Sequence, residues 1–168
     1  MNIKPKQDEV QFFYYNKVWN SLVVRNNRNY RYRVELLLLD DEGRLFIGRK
    51  SDGRYTIPGG SVEPDVDNLS QVIAECEEEA RITPKDVYYV NSYVQMYDAK
   101  NPLGKWMATL PVLYDGMITD VYIGKYHRRC LKYVDKKHRS AVLAEGKFVP
   151  IEEIYDELSQ AHKDALGI

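Results

Sequence analysis

Several common kinds of site lack their raw materials in this 168-residue sequence. There are two cysteines, Cys76 within a helical pattern and Cys130 in a basic stretch. That number and spacing exclude a disulfide framework and a thiolate zinc site, and they fit a reducing compartment. His127 and His138 have no partner at metal-ligand spacing, so imidazole coordination is not expected there either. No apolar run approaches the roughly 20 residues needed to span a bilayer. The opening MNIKPKQDEVQFFYY lacks the long apolar core of a signal peptide. The protein is therefore expected to be soluble and cytoplasmic, with no membrane partner. No charge of one sign dominates, and the formal net charge of -1 argues against a general nucleic-acid or membrane binder. Neither an internal repeat nor a low-complexity tract is visible, and 19.6 kDa is enough for one domain with a real core.

Tyrosine, in contrast, is abundant: fourteen residues, most of them expected to fill the core. The most informative stretch is Pro58 to Ile82, PGGSVEPDVDNLSQVIAECEEEARI. Pro58-Gly59-Gly60 ends an apolar strand pattern, because proline cannot continue a ladder and glycine opens backbone angles closed to other residues. From Asn68, the apolar residues Leu69, Val72, Ile73, Cys76 and Ala80 recur at the spacing of one buried helical face. Asp67 or Asn68 is the expected cap. Glu75, Glu78 and Glu79 stand at i, i+3 and i+4, so three carboxylates share one patch of that helix, with Glu77 turned aside. Like charges so placed repel by a few tenths of a kcal/mol per pair. A compensating cation, Mg2+ or Mn2+ for hard oxygen ligands, is one reason to keep them; a solvated acidic face is the other.

These residues resemble the Nudix hydrolase signature, G-x5-E-x7-R-E-U-x-E-E-x-G-U, in which U is a bulky apolar residue. Gly60 takes the first glycine, Glu75 the glutamate after the arginine, Cys76 the apolar position, Glu78 and Glu79 the double glutamate, and Ile82 the last position. Three positions depart: the first glutamate falls on Val66, the arginine on Ala74 and the last glycine on Arg81. Asp65 and Asp67 flank Val66 and are candidates for the missing acid. The resemblance implies an α/β fold, a Nudix-like α/β/α sandwich with a mixed central sheet, an acidic catalytic helix at about 68–81 and a C-terminal helix at about 151–165. It also implies metal held by Glu75, Glu78 and Glu79 with the Gly59 carbonyl. The expected cofactor is Mg2+, with Mn2+ as substitute. The catalytic candidates are Glu78 and, in the loop before the last strand, Glu145. Loss of the box arginine predicts reduced activity, since such supporting groups are worth on the order of 10 to 100-fold.

The flanking segments agree with that order. Residues 1–29 read as an extension, a hairpin or edge-strand pair with Asn26 to Asn29 as a turn, and 30–168 as the Nudix domain. Tyr30 to Asp40 is an apolar strand forming a hairpin with Arg44 to Arg49, and Tyr55 to Ile57 leads into the box. Val87 to Met96 and Trp106 to Tyr114 read as strands, and alternation continues through Met117, Ile118, Val121 and Ile123. A basic insertion is expected at about 120–139. Its run Lys125 to Arg139 holds seven Lys or Arg against one Asp, with Tyr126 and Tyr133 available for stacking. A solvated surface arm reads the same way. Ser140 to Leu143 and Lys147 to Val149 read as strand ends. Arg49 and Arg54 are candidate phosphate contacts, and Tyr97 resembles the downstream tyrosine of dinucleoside polyphosphate hydrolases. The function implied is Mg2+-dependent cleavage of a pyrophosphate bond in a nucleoside diphosphate linked to another moiety: a dinucleoside polyphosphate, ADP-ribose or a similar nucleotide. A capped RNA end is a less favoured substrate, and a homodimer is a candidate assembly. The alternative is a catalytically impaired Nudix-like domain that binds a nucleotide or a protein.

Overall fold

The computed structural model describes residues 3–97, 109–127, 143 and 145–168. Its sheet starts in the N-terminal extension. Strands β1 (Val10–Tyr15) and β2 (Val18–Arg25) are antiparallel and joined by Asn16 and Lys17, at φ of 52° and 64°. A two-residue hairpin of this hand requires positive φ at both positions, which asparagine tolerates. Asn26 and Asn27, at 50° and 61°, repeat the device into β3 (Arg28–Leu39). The turn expected over 26–29 is thus two residues long, and Arg28 and Asn29 already belong to the next strand.

Strand β3 is the spine. Along one edge it pairs in parallel with the strand Gly116–Lys125, from Tyr30 opposite Gly116 to Leu39 opposite Lys125. Its other edge pairs antiparallel with β2, with β4 (Leu45–Arg49) and, at its middle, with the short strand Gly59–Ser61. Taking β5 as Tyr55–Thr56, these last are β6 (Gly59–Ser61) and, after β7 (Lys85–Met96), β8 (Gly116–Lys125). β7 pairs antiparallel with β8, and β9 (Lys147–Val149) with β4. A strand bonded on both edges lies inside the sheet, and its two faces need two covers. Tyr32, Val34, Leu36 and Leu38 pack against Val72, Cys76 and Ala80 of α1 (Asn68–Ala80). Leu37 faces the opposite way, into a second cluster with Val121, Ile123, Ile154, Leu158 and Ala165. The last three come from α2 (Ile151–Ile154), α3 (Gln160–Leu166) and the turn between them. The molecule is an α/β/α sandwich on a mixed sheet. No described helix is long and apolar enough to cross a membrane.

Four expectations change. The strand expected over 106–114 is not one where it is described: 109–114 is turn and loop, and 106–108 lies outside the described residues. Pro111 has no N–H for a ladder, and the pairing begins only at Gly116, where a Cβ would sit 2.6 Å from the Gln95 carbonyl. The C-terminal helix is two short helices, because the Ser159 hydroxyl caps a new start by accepting the His162 amide at 3.2 Å. On α1 the buried face is rotated from the expected one: Leu69 is 43% exposed while Gln71 is 4% exposed. Leu143 is buried in the core and is not in a strand, while Ser140 to Val142 lie outside the described residues.

The ends of α1 explain one departure from the box. Asp67 is the N-cap, its Oδ1 accepting the Ser70 amide at 2.9 Å. Arg81, where the signature has glycine, ends the helix in the left-handed region at φ 60°, its amide donating to the Glu77 carbonyl at 3.1 Å. A side chain in that region costs about 1 kcal/mol that glycine avoids. Arg81→Gly should therefore raise stability by about 1 kcal/mol, read as a higher urea midpoint at unchanged slope. A lower midpoint would mean that the half-buried arginine side chain contributes more than the strain removes.

Candidate active site

Strand β6 is three residues long, and its glycines pair with β3 while α1 lies against Gly60. Gly59 pairs with Glu35 and Gly60 with Val34. A Cβ on Gly59 would lie 2.6 Å from the Val34 carbonyl, and one on Gly60 would lie 2.5 Å from the Glu75 carboxyl carbon. The missing side chains are what let a glutamate of the helix press onto the strand. Glu79 completes the contact, its Oε1 accepting the Gly59 amide at 3.2 Å. Gln71, one turn earlier, donates to Glu75 Oε1 at 2.9 Å.

Glu75 and Glu79, one turn apart on α1, lie within reach of each other, and two carboxyls so placed can hydrogen-bond only by sharing a proton. Burial, that bond and the charges of Glu79 and Glu78 push Glu75 up to about 8. Burial also pushes Glu79 up, against the Gly59 amide and the charge of Arg33. Glu77 is turned aside and accepts the Thr83 hydroxyl at 2.9 Å. Among the described residues, no three His, Cys, Asp or Glu side chains form a ready-made metal site. The chemistry of the pair nonetheless fits a divalent cation: two hard, half-buried carboxyls side by side would offer it oxygens once deprotonated.

On the cleft side of the sheet lies a polar cluster that the sequence reading missed. Glu35 is 7% exposed, yet it sits on a strand face otherwise apolar beyond it. It accepts the Tyr93 hydroxyl at 2.9 Å and faces His162 Nε2 at 2.8 Å. An ionised carboxylate only accepts, so His162 donates from Nε2, while its Nδ1 lies 2.7 Å from the Tyr55 hydroxyl. Tyr55 in turn accepts the Ser159 amide at 3.1 Å. Burial pushes the Glu35 carboxyl up, but the bond from His162, the charge of Arg33 and the bond from Tyr93 outweigh it and hold it low. With Arg33, these groups line a cleft of about 850 Å³. The signal was present in RYRVE: Arg31, Arg33 and Glu35 are charged at every second position, on one face of a strand.

The remaining candidates are dispersed. Arg54 lines the same cleft, but its Nε is bonded to Asp52 at 2.7 Å. Arg49 is paired with the Glu157 carboxylate, Nη2 to Oε2 at 2.9 Å, and lines a separate hollow of about 460 Å³ together with Glu145. Tyr97 follows β7 and stands against Arg31, which donates to the Ser61 hydroxyl at 2.8 Å. Asp67 is spent on the helix cap, and Asp65 is exposed at φ 62°. Of the basic segment, Lys125 ends β8. The Tyr126 ring packs on Phe148 at 5.1 Å in place of a stacking role, and His127 meets Asp41 at 2.7 Å. Residues 128–142, with Tyr133 and His138, lie outside the described residues.

The NUDIX domain family model matches residues 29–166 of this chain. Similar solved structures include a NUDIX hydrolase from Nitrosomonas europaea, 10% identical over 82% of this chain and 86% of that one, with a TM-score of 0.58. The MutT NUDIX hydrolase from Burkholderia pseudomallei is 16% identical over 82% and 95%, at 0.56. The C. elegans Ap4A hydrolase is 16% identical over 81% and 92%, at 0.52. Likeness at these identities is likeness of fold. No curated protein sequence matches.

The shared proton gives a pH signature. Glu75 is protonated in the folded protein up to about pH 8 but ionises near its ordinary value when unfolded. Between those values the folded state binds the extra proton, so stability must fall as pH rises. In chelator, urea stability should decline from about pH 5 to 8, by at most about 1.4 kcal/mol per unit. Glu75→Gln should flatten that slope. An equally steep slope in the variant would place the proton elsewhere.

Proposed function

The chain belongs to the NUDIX domain family, and from that premise we propose that it is a divalent-metal-dependent hydrolase of a pyrophosphate bond in a nucleoside diphosphate linked to another moiety. The observation that carries the reading is the Glu75 and Glu79 carboxyl pair laid on the Gly59-Gly60 backbone. A solvated acidic face has no reason to bury two carboxyls until they share a proton, since isolating such charge is expensive. A metal site does.

Glu75 and Glu79 would hold the cation, with Glu78 turning in from the same helical patch and the Gly59 carbonyl beside it. When bound, Mg2+ or Mn2+ would shield phosphate charge and acidify the attacking water. Glu78 is assigned the proton from that water ahead of Glu145, because its charge already acts on both members of the pair while Glu145 lines the other hollow. The cleft of about 850 Å³ is large enough for a nucleoside. Tyr55 and Tyr93 give it aromatic walls, while Lys50 and Arg33 supply positive charge. That combination suits a dinucleoside polyphosphate or ADP-ribose.

The test is phosphate release, after coupled phosphatase treatment, from ADP-ribose, diadenosine polyphosphates, NADH, nucleoside triphosphates and capped RNA with Mg2+ or Mn2+. Metal-dependent turnover of at least one is expected, and Glu79→Gln should lower it by roughly 100-fold or more, beyond the loss typical of a merely supporting group. If nothing turns over while one nucleotide still raises the melting temperature, the changes at Val66, Ala74 and Arg81 have removed the chemistry. The domain is then a nucleotide-binding module.

A further inference from the structure

Arg33 is poorly used by the protein's own groups. Its Nη1 meets Glu35 Oε1 at a long 3.4 Å, because that oxygen already accepts the Tyr93 hydroxyl at 2.9 Å while Oε2 takes His162. Its Nε is buried and has no hydrogen-bond partner among the described residues. A guanidinium carries five N–H donors in a rigid fork, so one long contact leaves most of its capacity unspent. Its position is nevertheless closely defined. The Nη2 atom lies 3.4 Å from where a Cβ on Gly59 would be, and the charge of Arg33 acts on both Glu35 and Glu79. The guanidinium therefore stands between the floor of the cleft and the strand on which the carboxyl pair rests, with 23% of the side chain exposed.

The fixing comes from the C-terminal helix. The Ser159 amide, the Tyr55 hydroxyl, His162 and Glu35 form one continuous chain of hydrogen bonds ending on Arg33. Arg31, two residues earlier on the same strand face, adds a second cation beside Ser61. Glu35 offsets only one of these two charges. Arg49 and Arg54, in contrast, are already tied to Glu157 and Asp52.

We propose that Arg33 is a substrate-binding residue that donates its guanidinium fork to non-bridging oxygens of the substrate's pyrophosphate, with Glu35 and His162 positioning it. This rests on the hydrolase reading of the cleft and names the residue that holds the group to be cleaved. Planar bidentate donation suits phosphate oxygens, and lysine cannot reproduce it.

The experiment is calorimetric titration of inorganic pyrophosphate into wild type, Arg33→Gln, Arg33→Lys and, as control, Lys85→Ala, which removes an exposed cation of β7. Each is run once in chelator and once with Mg2+, and melting temperatures confirm that every variant is folded. Arg33→Gln should weaken pyrophosphate binding by roughly 10-fold or more, the worth of a hydrogen bond to a charged group. Arg33→Lys should fall between, and Lys85→Ala should match wild type. With a nucleotide substrate the loss should appear mainly in KM. Pyrophosphate bound by Arg33→Gln within about twofold of wild type overturns the proposal, as does wild type that binds none in either condition. The hydrolase reading fails separately. Wild type that turns over nothing, while Arg33→Gln still loses pyrophosphate, sinks the enzyme and leaves the anion site standing. Turnover with unchanged KM in Arg33→Gln does the reverse.

Discussion

A strand that is hydrogen-bonded along both edges and covered on both faces has nowhere to put a charge except against another group. Strand β3 is in that position, and much of the molecule follows from it. Its apolar second half, Leu36 to Leu38, joins the two cores that fasten α1 to one side and the C-terminal helices to the other. Its polar positions face a severe desolvation cost, and most of them recruit partners from a different part of the chain, Arg33 being the exception. Glu35 draws Tyr93 from β7 and His162 from α3. The neighbouring β8 repeats the rule. Asp120, fully buried and pushed up by burial, accepts the Tyr32 hydroxyl, the Ser92 hydroxyl at 2.5 Å and the Asn68 amide at 3.2 Å. Through Asn68, that cluster also anchors the first turn of α1.

The carboxyl pair is held in place by the same architecture. α1 is fixed by Val72, Cys76 and Ala80 on the core, and β6 by its pairing with β3. Only glycine permits the distance that remains between them. Glu75 and Glu79 therefore meet because two independently supported elements leave them no other room. Repulsion between neighbouring carboxylates on a free helix is worth a few tenths of a kcal/mol and is relieved by turning the side chains away. Here burial and the neighbouring carboxyls favour relief by a proton, pushing Glu75 above its ordinary range.

The box departures look different in this setting. Arg81 keeps the left-handed turn of the glycine it replaces, so the helix ends where the signature ends it. Val66 is exposed in the loop before α1. At Ala74 the helix offers no cation, yet positive charge reaches Glu79 from across the sheet, from Arg33.

Periodicity and spacing were enough to locate α1, the two central hairpin strands, the glycine pair and the three glutamates, because these depend on local rules: 3.6 residues per turn, alternation along a strand, and freedom of the glycine backbone. Which face of α1 is buried was misjudged at Leu69 because Gln71 finds a carboxyl to bond, a partner that periodicity does not register. The break at Ser159 was hidden because a serine in mid-pattern and a serine cap are the same letter. Arg49 and Arg54 were expected at the site for their nearness in sequence to the box, and Glu145 for its place in the loop before the last strand; neither says which ion pair or hollow a side chain ends in. Composition and motif determined that this chain has a sheet, an acidic helix and a glycine turn to lay it on. Only the tertiary structure decided that Glu35, 127 residues from His162, is joined to it and that Arg33 lies between that pair and Glu79, because long-range hydrogen bonds form between elements whose relative position is set by the packing of both cores.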